Sequence, residues 1–159
     1  MNLSLAATMP LGGPCPTMRF FVPTGAFFEA MKAFRGMDIV DVGAGRGHVT
    51  IALRAHGHDR VIPIDVRPDG AECKVFCANA ATFSYPAGSV ALLARPCHGI
   101  GLVEPAIRRA LESGVAWVLY VGAAKNIGHD TGRYRRRFRV GARHVGGNGE
   151  TLYVLRGSA

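Results

Sequence analysis

"DIVDVGAGRGHVTIAL", residues 38–53, decides the fold. "DIVDV" reads as a short buried strand, and "HVTIALRAHG" as a helix with Val49, Ala52, Leu53 and His56 on one face and Gly57 as its stop. Between them Gly43, Gly45 and Gly47 occupy alternate positions. A strand that ends in a glycine turn and opens a helix brings backbone N–H groups close to a ligand. The spacing is not that of a dinucleotide turn, G-x-G-x-x-G, because His48 stands where the third glycine would be. It is not a P-loop, because no Lys-Ser/Thr follows.

Working outward, "TGAFFEAMKAFRG" predicts an amphipathic helix, with Thr24 as N-cap, Gly36 as stop, and Phe27, Phe28, Met31 and Phe34 at helical spacing. "RVIPID", "CKVFCAN" and "SVALLAR" predict strands two to four, with Pro63 an objection to the first of these. Leu102, Val103, Ala106, Ile107, Ala110 and Leu111 predict a helix with Pro105 in its first turn. "VAWVLYVG" predicts a strand buried on both faces. "RFRVGARHV" and "ETLYVLRG", joined by "GGNG", predict a closing hairpin. Strands alternating with helices imply an α/β fold with a mostly parallel seven-stranded sheet, one strand of the hairpin being antiparallel. The crossovers at Arg67–Cys73 and Ala80–Gly88 are too short for full helices. Nine extended residues still span about 30 Å, so the route closes with helices trimmed to a turn or less.

Composition bounds the rest. The 159 residues, 48% hydrophobic and 19% charged, suit one globular domain; we expect residues 1–19 as an arm and 20–159 as the domain. No apolar run reaches the roughly 18 residues of a membrane helix, and the N-terminus lacks a basic signal-peptide region, so a cytoplasmic protein without membrane partners is expected. Cys15, Cys73, Cys77 and Cys97 form no CxxC pair and no His/Cys cluster with ligand spacing; they read as reduced thiols, with a zinc site as the alternative reading. The formal net charge is +8, and Arg133, Arg135, Arg136, Arg137, Arg139 and Arg143 crowd into one short stretch. Such a stripe is either a footprint for phosphates or a solvated face.

"VDVGAGRG", Val40–Gly47, resembles the first motif of the class I S-adenosylmethionine-dependent methyltransferases, in which an acid precedes the glycines by two. The resemblance spans roughly residues 20–157 and implies a Rossmann-like sheet whose last strand is antiparallel. It implies that Gly43, Ala44, Gly45 and Gly47 approach the methionine and ribose parts of the cofactor, that Asp41 holds its amino group, and that Asp65, with Val66 beside it, accepts the ribose hydroxyls. Asn79 and Ala80 would meet the adenine, and Pro96 would line the site. A carboxylate suits a vicinal diol because it offers two acceptor oxygens. Where members that methylate amino nitrogens carry Asp/Asn-Pro-Pro-aromatic, this chain has "ARPCHG", Ala94–Gly99. Arg95 has no acceptor for an amino group and would instead pair with an acidic substrate group or the cofactor carboxylate; His98 would serve as general base. Phe20, Phe21 and Thr24 of "RFFVPTG" either form a lid or pack in the core.

The resemblance implies methyl transfer; the acceptor is either a small molecule or, from the arginine cluster, RNA held by Arg133, Arg135, Arg136, Arg137 and Arg139. The competing classes are a catalytically inactive module that binds S-adenosylmethionine or S-adenosylhomocysteine as a sensor or scaffold, and a nucleotide-binding oxidoreductase, which the glycine spacing disfavours. Thin cover on one sheet face would expose apolar surface and favour a homodimer.

Overall fold

The computed structural model describes residues 21–96 and 101–158. Its helices are α1 (Gly25–Met31), α2 (His48–Ala55), α3 (Val103–Glu112) and α4 (Ile127–Thr131), with short 3-10 helices at Lys32–Phe34 and Gly132–Arg137. Its strands are β1 (Ile39–Val42), β2 (Val61–Asp65), β3 (Phe76–Cys77), β4 (Val90–Ala94), β5 (Trp117–Gly122), β6 (Arg139–Ala142) and β7 (Thr151–Arg156). They form one seven-stranded sheet in the order β3-β2-β1-β4-β5-β7-β6. β1 to β5 pair in parallel, and β7 runs antiparallel to both β5 and β6. This is the Rossmann-like, mostly parallel α/β sheet with a closing hairpin that the sequence predicts. The "GGNG" turn closes with a hydrogen bond of 3.0 Å from the Gly149 N–H to the Gly146 carbonyl.

Strand alternation divides the core in two. One face carries Ile39, Val61, Leu92, Leu119 and Leu152 against Phe27, Met31 and Phe34 of the α1 region and Leu53 of α2. The other carries Val40, Ile64, Leu93, Val118, Tyr120 and Tyr153 against Val103, Ala106, Ile107 and Ala110 of α3 and Ile127 of α4. Tyr120 donates a 2.5 Å hydrogen bond to the buried Asp130 of α4, and Thr131 bonds back to the Ile127 carbonyl.

Three expectations need correction. The first helix leaves α geometry at Met31 and finishes as a 3-10 turn. "CKVFCAN" contributes only a two-residue strand, because β3 meets β2 at Ile64 and Asp65 alone. That short pairing removes the objection to Pro63, which lies on a stretch of β2 that β3 does not reach. The stretch between β5 and "RFRVGARHV", to which the sequence reading assigns no element, forms α4 and a 3-10 helix that pack Ile127 and Tyr134 against one sheet face. Among the described residues the large exposed apolar side chains are Val22, Ile51, Val66, Phe76 and Val140.

Both crossovers flanking β3 lack a regular helix, as their length requires. No described helix is long and apolar enough to cross a membrane. Leu119 is fully buried in a central strand, whereas Val140 on the terminal strand is 48% exposed. We therefore expect Leu119→Ala to lower the unfolding free energy by about 2–5 kcal/mol, and Val140→Ala to change it by no more than about 0.5 kcal/mol, both read by urea denaturation.

Candidate functional site

The site lies at the carboxyl ends of β1, β2 and β4, where open α/β sheets bind ligands. β1 ends at Val42, and the chain then turns through Gly43, Gly45 and Gly47 at φ +69°, +54° and +84°. These left-handed angles are open to glycine without strain, so the alternation of glycines is a backbone requirement of the turn. The Gly43 and Ala44 N–H groups both donate to the Ile64 carbonyl at 2.9 Å, which fastens the loop to β2.

Asp65 closes this junction. Its Oδ2 accepts the Gly45 N–H at 2.9 Å and its Oδ1 accepts the Arg67 N–H at 2.7 Å. Each carboxylate oxygen has two lone pairs, so each keeps acceptor capacity toward a ligand. Asn79 follows β3 and is oriented by its own turn: its Oδ1 accepts the Ala81 N–H at 2.9 Å, and its carbonyl accepts the Thr82 and Phe83 N–H groups.

Asp65 and Asn79 line a cavity of about 230 Å³. Gly43, Val66, Ala78, Ala80 and Ala81 share its wall, Val42, Ile64, Leu93, Val103 and Ala106 give it an apolar floor, and Arg95, Pro96 and Leu102 bound it on the β4 side. A second cavity of about 50 Å³ adjoins it, with Gly43 and Arg95 lining both. Its wall includes Asp41, Ala44, Gly45, Arg46, His48 and Phe21. Of the residues the sequence singles out for cofactor contact, Gly47 alone lines neither cavity. It caps α2 instead and lies against the Cys73 side chain.

Asp41 is 2% exposed and accepts the Thr50 hydroxyl at 2.6 Å. Burial pushes its pKa up to about 6; the Thr50 hydrogen bonds oppose the rise, and the nearby Asp65 charge adds to it. The site therefore holds a carboxylate whose charge lacks full compensation near neutral pH.

Arg95 has an acidic partner within the chain itself: Nη1 donates to Glu150 Oε1 at 2.8 Å. Glu150 is 2% exposed and also accepts the Asn148 N–H at 3.0 Å and its side-chain amide at 3.4 Å. Burial acts to raise the Glu150 pKa, but the backbone N–H groups, Arg95 and Asn148 outweigh it and hold the carboxyl below its usual range. Arg95 sits at φ +49°, a strained conformation for a non-glycine residue. The pair anchors the end of β4 to the start of β7.

Phe21 packs in the core, 6% exposed and edge-on against Phe27 at 5.1 Å, and it also lines the second cavity. Thr24 lines neither cavity and bonds to the His144 carbonyl at 2.8 Å. Cys73 is half-buried against the glycine loop and Cys77 is exposed on β3, and among the described residues no group of three or more His, Cys, Asp or Glu is placed to hold a metal. His98 and Cys97, with Phe20 and Cys15, lie outside the described residues.

Sequence reasoning missed Glu150, Thr50, and the α3 wall of Leu102, Val103 and Ala106. Arg46 and His48 at the second cavity were missed as well; both flank Glu72, whose N–H donates to the Arg46 carbonyl at 2.8 Å and ties the chain after β2 over the loop.

No protein-family model and no curated protein matches the chain. Solved structures do. A 23S rRNA methyltransferase, ErmE, superposes with a TM-score of 0.62 at 16% identity, covering 89% of this chain and 70% of its own. The ribosomal protein L11 methylase of Lactobacillus delbrueckii subsp. bulgaricus gives 0.57 at 14% identity, covering 84% and 77%. The 1,6-didemethyltoxoflavin-N1-methyltransferase of Burkholderia thailandensis, solved with bound 1,6-didemethyltoxoflavin and S-adenosylhomocysteine, gives 0.57 at 14% identity, covering 85% and 79%. Strand order, the antiparallel penultimate position of β7 and these superpositions agree: the chain has the Rossmann-like fold of the class I S-adenosylmethionine-dependent methyltransferases.

Proposed function

We propose that the protein binds S-adenosylmethionine across the two adjoining cavities and transfers its methyl group to an acceptor. The observation that carries this reading is the Asp65 carboxylate. It is pinned at the rim of the larger cavity by the Gly45 and Arg67 N–H groups, with both oxygens left able to accept from a vicinal diol.

The chain's own residues fit the remaining parts. The apolar floor suits a purine ring, and Asn79 borders it without adding charge. Asp41 in the smaller cavity offers a carboxylate to an ammonium group. When bound, S-adenosylmethionine supplies an electrophilic methyl on a sulfonium, which leaves readily. Gly43 and Arg95, common to both cavities, mark where the two halves of the ligand would join, and Pro96 and Leu102 bound the approach of the acceptor. The protein's contribution is then alignment of acceptor and methyl rather than proton transfer. Arg95 is committed to Glu150 and accepts no hydrogen bond, so it does not hold an amino nitrogen.

Calorimetric titration with S-adenosylmethionine, S-adenosylhomocysteine and NAD tests the reading. Binding of the first two without the third supports it; binding of NAD alone contradicts it. Turnover of labelled S-adenosylmethionine separates an enzyme from a binding-only module. Asp65→Ala should weaken S-adenosylhomocysteine binding by about 1–3 kcal/mol, and unchanged affinity would remove Asp65 from the ribose role.

The raised pKa of Asp41 sets a pH dependence. Only the ionised carboxylate attracts an ammonium, so affinity should be full well above pH 6 and fall as pH drops through about 6. Asp41→Asn should abolish that step. A step of equal size in the variant would assign the titration to another group.

A further inference from the structure

The C-terminal part of the chain is electrostatically one-sided. Residues 114–159 hold eight Lys and Arg and two acids, Asp130 and Glu150. Both acids are buried, Asp130 accepting from Tyr120 and Glu150 from Arg95. The described part of the segment therefore presents cations to solvent with no exposed Asp or Glu side chain of its own.

Arg133 is paired to Glu104 of α3 at 3.1 Å. Arg135, Arg136, Arg137, Arg139 and Arg143 are exposed and have no ion-pair partner among the described residues. Two are held in place by aromatic rings, Arg135 over Tyr153 and Arg137 over Tyr134, with guanidinium carbons 5.9 and 6.0 Å from the ring centroids. The structure thus retains five uncompensated, partly pre-oriented guanidinium groups along the 3-10 helix and the terminal strand β6.

This edge leads to the site. Ala142 at the end of β6 pairs with Leu152, Leu152 with Val121, and Val121 with Ala94, the residue before Arg95. Three strand spacings place Arg143 about 14 Å across the sheet end from the β4 terminus that bounds the cavities. Lys125, exposed just after β5, lies on the intervening stretch of chain. A polyanion on the arginine edge has a short cationic route to the acceptor side of the cavity.

We propose that the methyl acceptor is RNA, docked by its phosphates on Arg135, Arg136, Arg137, Arg139 and Arg143; this rests on the methyl-transfer reading. A flexible single strand can follow the edge and turn one nucleotide toward Pro96 and Leu102, whereas a stiff duplex would first have to extrude a base. An anionic membrane is the weaker match, since an interfacial surface needs an apolar component and the exposed large apolar residue on this edge is Val140 alone among the described residues.

The test compares the full chain with a variant carrying Arg136→Gln, Arg139→Gln and Arg143→Gln. A control carries Lys32→Gln, Arg35→Gln and Arg108→Gln, an equal loss of charge at exposed positions elsewhere. Binding of labelled oligouridine, oligothymidine of equal length, and phosphatidylserine vesicles is followed over a range of salt. We expect oligouridine to bind most tightly, with a logarithmic salt slope whose magnitude drops by about 2 in the edge variant, at about 0.7 per phosphate contact, and much less in the control. Equal losses in the two variants, no oligouridine binding, equal binding of oligothymidine, or preference for vesicles would each overturn the proposal. Titration of the same variants with S-adenosylhomocysteine separates the two readings. Failure to bind it in every protein sinks the methyl-transfer reading, whereas retained binding with no RNA binding sinks this proposal alone.

Discussion

The junction between the glycine loop and the end of β2 is the constraint on which the site depends. Four backbone N–H groups converge there: those of Gly43 and Ala44 on the Ile64 carbonyl, and those of Gly45 and Arg67 on the two oxygens of Asp65. The first two fix the loop to the sheet. The other two hold the carboxylate without saturating it. Because these donors belong to the backbone, the geometry depends on a single side-chain rotamer, that of Asp65, and on Gly43 and Gly45 reaching positive φ. Both cavities open from this junction, the larger on the Asp65 side and the smaller on the Asp41 side.

The junction does not ease the burial of Asp41. An acid inside a β-strand, with Thr50 as its hydrogen-bond donor and Asp65 as a repelling neighbour, is unfavourable when ionised. For a stability-only role an apolar residue would serve better. A carboxylate kept in this position is reasonable where a cationic ligand group completes it. The Arg95–Glu150 pair is different in kind, since each partner already satisfies the other and the pair ties β4 to β7 across the end of β5.

Much of this was legible in the sequence. The short apolar run, the alternate glycines and the helical spacing in residues 38–53 mark β1, the loop and α2, because those elements are specified locally. Asp65 and Asn79 were legible for the same reason: each ends or follows a recognisable apolar strand. The α4 segment was not, because "NIGHDTGRYRRR" carries two glycines and no apolar period; it is held by tertiary contacts, Tyr120 to Asp130 and Ile127 in the core. The partner of Arg95 lies 55 residues away in sequence and reads locally as the start of a hairpin strand. The close approach of Gly47 to Cys73 was not legible, because a glycine needed for side-chain packing looks the same in sequence as one needed for a ligand.

The most direct test of the account is a crystal structure of the protein with S-adenosylhomocysteine. The account predicts the ribose hydroxyls on the two oxygens of Asp65, with the Gly45 and Arg67 N–H bonds intact, the adenine over the apolar floor beside Asn79, and the ammonium toward Asp41. A ligand bound elsewhere, or one that enters the cavity while leaving Asp65 uncontacted, would contradict it.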